Sequence, residues 1–249
     1  MELSIASTIE FAQVTYCAVA GRPLIADLDL QVGRAELLVM LGRSGSGKTT
    51  ALKLINGLLF PASGTVWVEG RATRDWDLIR LRRRIGYAIQ EVGLLPHLTV
   101  ARNIALVPEL EKWPRDRIRA RLDQLLRMLG LAPEEICERY PHQLSGGQKQ
   151  RVGLARALAV DPPILLMDEP FGALDPLTRA EVQREFKSLQ RRLEKTVVFV
   201  THDVHEALVL GTRIALLDSG RLAGTYSREE FLRSRHPEAA AYISALRAS

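Results

Sequence analysis

The stretch from Glu36 to Leu59 reads ELLVMLGRSGSGKTTALKLINGLL and carries the strongest structural signal in the chain. An apolar run after Glu36 leads into a glycine-rich segment, which is followed by an apolar, helix-like stretch from Ala51 to Leu59. A continuous apolar run is typical of a strand that is buried on both faces of a parallel sheet. Similar short runs recur at Ile164–Met167 and Thr196–Val200, and helical patterns separate them. The sequence therefore predicts an α/β fold with a mostly parallel sheet.

The glycine-rich segment Gly42–Thr49 matches the pattern G-x-x-x-x-G-K-[ST], the P-loop. Glycines allow backbone N–H groups to turn toward a phosphate, and the start of the next helix adds partial positive charge. We expect Lys48 to reach the β- and γ-phosphates and the Thr49 hydroxyl to ligate Mg²⁺. A simple glycine turn is the alternative, which the strand–turn–helix context disfavours. The predicted nucleotide-binding residues here are Gly42, Ser44, Gly45, Ser46, Gly47, Lys48, Thr49 and Thr50.

Two acids end the apolar run in the stretch ILLMDEP, which covers Ile164–Pro170. Ligands of open α/β sheets bind at the carboxyl ends of the strands. We therefore expect Asp168 to hold Mg²⁺, directly or through water, and Glu169 to polarise the attacking water. A strand that merely ends in surface acids is the alternative.

The sequence LSGGQ at Leu144–Gln148 is a second glycine-rich segment before a helical pattern. Glycines next to serine at a helix start favour another phosphate nest, although an N-capped helix after a glycine turn would look the same. A chain with one P-loop and one separate nest suggests that two copies meet. The predicted residues of this nest are Ser145, Gly146, Gly147 and Gln148.

These three motifs, in this order, resemble the ATPase subunits of ABC transporters over almost the whole chain, and LSGGQ is the signature of that family. The resemblance places Gln90 at the Q-loop position, where it would sense Mg²⁺ or water. It places Ala173, Leu174 and Asp175 in the D-loop, and His202 at the position of the histidine that contacts the γ-phosphate. The implied catalytic residues are Lys48, Gln90, Glu169 and His202, and the implied metal ligands are Thr49, Gln90 and Asp168.

The resemblance also implies a domain plan, an ABC ATPase over residues 1–249. Residues 1–90 and 160–225 would form the P-loop NTPase core, including an N-terminal antiparallel β subdomain. Residues 91–159 would form an inserted helical subdomain with the signature, and residues 226–249 a helical tail. Two copies would bind two ATP molecules head to tail. The family usually stacks adenine on an aromatic side chain near position 18, but Ala18 is not aromatic. Either the nearby Tyr16 takes this role, or no ring stacks on adenine and nucleotide affinity is weaker by about 1–3 kcal/mol.

Longer matches narrow the class of transporter. The stretches DEPFGALDP and VTHDVHEAL resemble importer subunits, and IGYAIQEVGLLPHLTVARNI resembles subunits for glycine betaine, choline or related osmoprotectants. The implied partners are integral-membrane permease subunits, a second copy of the chain and, indirectly, an extracytoplasmic solute-binding protein. Two alternatives stay open: an ATPase for amino-acid import or lipid trafficking, and a soluble ABC ATPase that acts on nucleic acid or ribosomes. A nucleotide-gated scaffold without hydrolysis is disfavoured because the catalytic residue types are present.

Composition limits the classes of protein to which the chain can belong. The 249 residues contain 47% hydrophobic and 25% charged residues, which is ordinary for a folded protein. No apolar run approaches the roughly 20 residues of a membrane span, and the N-terminus lacks a signal-peptide pattern. Two cysteines argue against a disulfide framework or a zinc site. The net charge of +5 does not by itself select a partner, and we expect no nucleic acid. We expect the protein at the cytoplasmic face of a bacterial membrane, held there by its permease.

Overall fold

The structure is a computed structural model that describes residues 7–18, 21–89, 92–172 and 174–248. The chain forms two compact units. The first unit contains Met1–Arg82 and Leu193–Ser249, and the second unit contains Arg83–Arg192. The borders predicted from the resemblance, at residues 90, 159 and 225, remain a prediction.

Strands and helices alternate along the described residues. The strands are β1 (Ile9–Cys17), β2 (Pro23–Val32), β3 (Leu37–Leu41), β4 (Ser63–Val68), β5 (Arg71–Ala72), β6 (Ile85–Ala88), β7 (Ile164–Asp168), β8 (Thr196–Thr201), β9 (Arg213–Asp218) and β10 (Arg221–Tyr226). The helices are α1 (Lys48–Ile55), α2 (Leu78–Arg83), α3 (Val100–Leu110), α4 (Arg115–Met128), α5 (Pro133–Ile136), α6 (Gly146–Leu158), α7 (Pro176–Leu193), α8 (Val204–Leu210), α9 (Arg228–Arg233) and α10 (Pro237–Ala248). This alternation confirms the predicted α/β class.

An antiparallel sheet with the strand order β2-β1-β4-β5 lies in the first unit, as predicted. Alternate side chains of β1, such as those of Ile9 and Phe11, are buried, which is the pattern of a strand with one face on the core. This sheet also touches the second sheet of the unit, because the Ala26 amide donates a 2.8 Å hydrogen bond to the Gly220 carbonyl.

The other sheet of the first unit places the P-loop. Its strands follow the order β10-β9-β3-β8, in which β3 pairs in parallel with β8 and β9 while β10 is antiparallel to β9. All five residues of β3 are buried, and so are all six of β8. The apolar runs were therefore interpreted correctly as doubly covered strands. The edge strand β10 was not predicted, since its residues are mostly half-exposed and follow no alternation.

The second unit combines the parallel strand pair β6–β7 with helices α3 to α7. Leu122, Leu125 and Leu126 on α4 are buried and form its apolar face. A loop with Leu94, Leu95, Pro96 and Leu98 precedes α3. Its leucines are half-buried, and the buried amide of Asn103 accepts from the Leu95 amide at 2.8 Å and donates to the Leu98 carbonyl at 3.0 Å.

Gly86 marks the tightest packing between β6 and α6. A Cβ at this position would clash with the Ala157 carbonyl oxygen and lie 2.6 Å from Leu165 Cδ2. We therefore expect Gly86→Ala to lower the free energy of unfolding by about 1–3 kcal/mol, as overpacking does elsewhere. Denaturant unfolding of both variants tests this, with Gly172→Ala as control, because a Cβ there meets nothing closer than 3.6 Å. Equal stability of the two variants would contradict the prediction.

Among the described residues, no helix is long and apolar enough to cross a membrane.

Candidate nucleotide-binding site

The P-loop joins the buried strand β3 to helix α1 in the first unit. Gly45 and Gly47 have φ angles of 81° and 96°, a left-handed conformation that costs other residues energy and glycine none. Lys48 is only 5% exposed, and its Nζ donates to the Gly42 carbonyl at 2.6 Å and to the Arg43 carbonyl at 2.9 Å. The loop therefore curls around the lysine ammonium group.

Ser46 provides the test of whether this loop suits a phosphate. Its hydroxyl oxygen is buried and has no hydrogen-bond partner among the described residues. A buried hydroxyl without a partner costs about 1–3 kcal/mol, so a ligand oxygen would relieve this cost. Gly42 keeps the space open, since a Cβ there would lie 2.5 Å from Ser46 Oγ. The loop fits a phosphate group.

His202 lies at the same sheet edge as the P-loop. In the parallel pair β3–β8, Leu41 is opposite Thr201, so Gly42 and His202 both follow the carboxyl ends of adjacent strands. Thr201 Oγ1 donates to Glu206 Oε2 at 2.6 Å and accepts from the Asp203 amide at 3.0 Å, which fixes the turn. The side chain of His202 is exposed on this turn. Sequence analysis did not identify Thr201 and Glu206. Asp203 just before a helical pattern, with Glu206 three residues later, is nevertheless a capping signal.

Tyr16 lies on β1, and strand β2 lies between it and the P-loop. It pairs with Ile25 across the β1–β2 hairpin and is partly exposed. A Cβ on Gly47 would lie 2.8 Å from the Leu24 carbonyl and 3.1 Å from Ile25 Cγ1, so β2 packs directly against the start of α1. This position is compatible with a role in adenine binding, which remains a prediction.

Asp168 ends strand β7 in the second unit, and Glu169 follows it directly. Asp168 is 7% exposed. Burial, and secondly the negative charge of Asp168, raise the pKa of Tyr87 on the neighbouring strand to about 12. Glu169 has a φ angle of 45°, which is unfavourable for a residue with a Cβ by about 1–2 kcal/mol. Other residues, such as Glu194, share this conformation, so it does not by itself mark a catalytic residue, and the role of Glu169 remains a prediction.

The signature segment forms an exposed helix start in the second unit. Ser145 Oγ accepts from the Gln148 amide at 3.2 Å, and Gln148 Oε1 accepts from the Ser145 amide at 3.0 Å, so that a capping box begins α6. Ser145 and Gly146 are exposed, and a Cβ on Gly147 would lie 2.7 Å from Thr178 Cγ2. The structure thus shows the N-capped helix with its positive end open to solvent, and the phosphate nest at the same residues remains a prediction.

Asp175 caps helix α7. Its Oδ1 accepts from the Thr178 amide at 3.1 Å, and hydrogen bonds from Thr178 hold the pKa of the carboxyl below its usual value. The side chain is exposed. The D-loop role of Asp175 remains a prediction, whereas its role as a helix cap is visible in the structure. Ala173 lies outside the described residues.

Gln90 also lies outside the described residues, but the segment that follows residue 91 is held by the signature helix. Arg156 of α6 donates to the carbonyls of Val92 and Gly93, both at 2.6 Å. These two residues have φ angles of 54° and 57°. A left-handed valine is a genuine outlier, and the two charge-assisted bonds explain how it is kept. Sequence analysis did not identify Arg156.

Thr49 in the first unit and Asp168 in the second are the described residues among those predicted to hold Mg²⁺, and this role remains a prediction for both. No group of three or more His, Cys, Asp or Glu side chains suited to a metal occurs in the described part of the chain. Mg²⁺ in phosphate-transfer sites is usually held by one or two protein oxygens together with substrate phosphates, and a hydroxyl and a carboxylate are oxygen ligands of this kind.

Known proteins resemble the chain in sequence and in structure. The glycine betaine/carnitine/choline transport ATP-binding protein of Bacillus subtilis is 47% identical over 226 residues, which cover 91% of this chain and 59% of that protein. The glycine betaine uptake system ATP-binding protein of Escherichia coli is 51% identical over 214 residues, covering 86% of this chain and 69% of that protein. The chain thus spans about three fifths of the length of the first relative.

A solved ATP-binding cassette, a dimer in a post-hydrolysis state with bound ADP and Pi, superimposes with a TM-score of 0.79 at 35% identity. The match covers 88% of this chain and 98% of that one. The sequence profile of the ABC transporter family matches residues 25–172, which is more than half of the chain. This match, the close relatives and the P-loop geometry agree, and the chain belongs to the ABC transporter family.

Proposed function

We propose that the chain is the ATP-hydrolysing subunit of an ABC importer that takes up a small osmoprotectant of the glycine betaine or choline type. The observation that carries the ATPase part is the P-loop, in which a buried lysine and a buried, unpartnered serine hydroxyl line a left-handed glycine turn. Both side chains match the charge and hydrogen-bonding capacity of nucleotide phosphates.

Each motif would contribute one element of phosphoryl transfer. The P-loop amides, Ser46 and Lys48 would bind and orient the β- and γ-phosphates, which is the positioning that this reaction needs most. Thr49 and Asp168 would hold Mg²⁺, which neutralises phosphate charge when bound. Glu169 would accept a hydrogen bond from the attacking water, and His202 would contact the γ-phosphate.

Two copies of the chain would complete the site. The P-loop of one copy and the segment Ser145–Gly147 of the other would enclose one ATP molecule, so that a dimer holds two. The start of α6 supports this arrangement. It is exposed despite its capping box, and the positive end of a helix is suited to an anion. The dimeric state of the similar ADP-bound cassette also supports it.

The cargo and membrane partners are inferred from relatives. Both curated relatives described above are named as transport or uptake proteins for glycine betaine, and one also for carnitine and choline. By this similarity the chain would bind permease subunits at the cytoplasmic face of a bacterial membrane, and a solute-binding protein would deliver cargo on the other side. Amino-acid import and lipid trafficking are the competing assignments.

Uptake in the source cells tests the proposal. The native gene is replaced by a wild-type copy or a Lys48→Ala copy, and the entry of labelled glycine betaine, choline and a mixture of amino acids is measured at high osmolarity. Selective loss of glycine betaine or choline uptake in the Lys48→Ala cells is expected. Loss of amino-acid uptake alone would transfer the assignment to that cargo.

A second readout tests the membrane partner. Tagged Glu169→Gln protein is purified with ATP from detergent-solubilised membranes, and its partners are identified by mass spectrometry. A multi-span permease is expected. Ribosomal or DNA-bound proteins without a permease would overturn the importer assignment and favour a soluble ATPase.

A further inference from the structure

A bidentate ion pair connects the P-loop to the helix α10. Arg43 Nε donates to Glu238 Oε2 at 3.0 Å, and Arg43 Nη2 donates to Glu238 Oε1 at 3.1 Å. The two residues are 195 positions apart in sequence. Two parallel N–H···O bonds fix the orientation of a guanidinium as well as its distance, which a single contact does not.

Glu238 is a firm support for this contact. It lies in the first turn of α10, where the helix dipole favours a negative charge. The helix is anchored to the first unit by Ala239 and Ile243, which are buried. The Glu238 side chain is 22% exposed, whereas that of Arg43 is 69% exposed. Glu238 is therefore the fixed partner, and Arg43 is the side chain that it holds.

The surroundings of Tyr242 on the same helix agree with this geometry. Burial and, secondly, the negative charge of Glu238 raise the pKa of the Tyr242 hydroxyl, and the positive charge of Arg43 opposes that rise. The tyrosine, the carboxylate and the guanidinium thus occupy one small region next to the P-loop.

The backbone of Arg43 is the hub of the P-loop turn. Its carbonyl oxygen accepts from the Ser46 amide at 3.2 Å and from Lys48 Nζ at 2.9 Å. These bonds involve the Ser46 amide and the Lys48 ammonium group, which the phosphates are expected to meet. Glu238 thus holds the side chain of Arg43, and the carbonyl of Arg43 shapes the loop.

We infer that Glu238 is a positioning residue for ATP binding, which acts through Arg43 to keep the P-loop in its phosphate-binding shape. This inference rests on the proposed function only in that ATP is the ligand. It assigns to helix α10 an influence on nucleotide affinity that is transmitted through Arg43, although no residue of α10 lies in the P-loop motif.

The sign of the effect separates positioning from simple electrostatics. Loss of a negative charge near the P-loop would by itself tighten ATP binding, and loss of a positive charge would weaken it. Positioning predicts that Glu238→Gln and Arg43→Gln both weaken binding, because each breaks the same bidentate contact. In the exchanged pair, Arg43→Glu with Glu238→Arg, the positive and negative side chains change places. The ion pair is restored, and the net charge of the chain is unchanged.

The experiment measures binding of a non-hydrolysable ATP analogue with Mg²⁺ to the full chain by calorimetry, and ATP hydrolysis at varied ATP. We expect about a fivefold weaker affinity in each single variant, the scale of a partly exposed charged pair. The Michaelis constant for ATP should rise while kcat at saturating ATP stays unchanged. The exchanged pair should recover at least half of the lost affinity on a logarithmic scale.

Asp123→Asn is the matched control. It breaks the exposed pair of Arg127 Nε and Asp123 Oδ2, 3.1 Å apart on helix α4 of the second unit, and should leave ATP affinity unchanged. Thermal midpoints of all variants show whether any loss reflects unfolding instead. Wild-type affinity in both single variants, or tighter binding in Glu238→Gln with weaker binding in Arg43→Gln, would overturn the inference. Absence of ATP binding by the wild-type chain would instead refute the proposed function.

Discussion

Replacement of Glu169 by glutamine should lower kcat for ATP hydrolysis about 100- to 10,000-fold, the range that a positioned general base contributes. Glutamine has nearly the same shape as glutamate but cannot accept a proton from water. Glu169 has a left-handed φ of 45°, and glutamine carries the same Cβ, so the backbone strain and the fold should remain unchanged. ATP affinity should stay within about twofold, since the P-loop contacts are intact. The measurement is steady-state phosphate release together with calorimetric ATP binding.

A matched control is available for this substitution. Glu194 is also a glutamate with a left-handed backbone, at a φ of 48°, and it is exposed after α7. Glu194→Gln should hydrolyse ATP at the wild-type rate. If ATP also drives two copies together, Glu169→Gln should elute as a dimer with ATP on size exclusion, because the closing ligand is no longer consumed. Normal hydrolysis by Glu169→Gln would remove Glu169 from the role of general base.

Replacement of Lys48 by alanine should weaken ATP binding at least about 100-fold. Hydrogen bonds to charged groups contribute about 1.5–3 kcal/mol each. The Lys48 ammonium group is expected to reach two phosphates, and the substitution would remove both bonds. Lys48 also gives up its bonds to the Gly42 and Arg43 carbonyls, so the loop itself loses a central contact. Calorimetry with ATP and Mg²⁺ measures the loss, and denaturant unfolding measures the accompanying change in stability.

Lys53 is the control for charge. It lies in the last turn of the same helix and is half-exposed. Lys53→Ala removes the same charge from α1 but no contact of the P-loop, so ATP affinity should change less than about threefold. A similar loss of affinity in both variants would mean that net charge, rather than contact with the phosphates, explains the role of Lys48.

Sequence patterns predicted the elements whose burial is uniform. The strands β3 and β8 are buried throughout, and both were predicted from their apolar runs. The P-loop was predictable because its glycines and lysine act locally, within eight residues. The family resemblance then supplied the roles of Gln90, Asp175 and His202, which no local pattern would have suggested.

Other features depend on contacts between distant residues. Helix α2 has only six residues and one buried side chain, Leu81, so it lacks a helical periodicity to detect. Asn103 is a buried polar residue whose partners lie five to eight positions away in an irregular loop. Glu238 acquires its importance from Arg43, 195 positions earlier. Tertiary structure, rather than propensity, decides each of these.

The two bonds from Arg156 have a mechanical consequence for the second unit. A displacement of α6 along its axis must either carry Val92 and Gly93 with it or break two short bonds from a cation whose pKa burial already lowers. Gly153 tightens the link, because a Cβ at that position would clash with the Val92 side chain. Helix α6 and the segment that begins at Val92 should therefore move together for as long as these bonds hold.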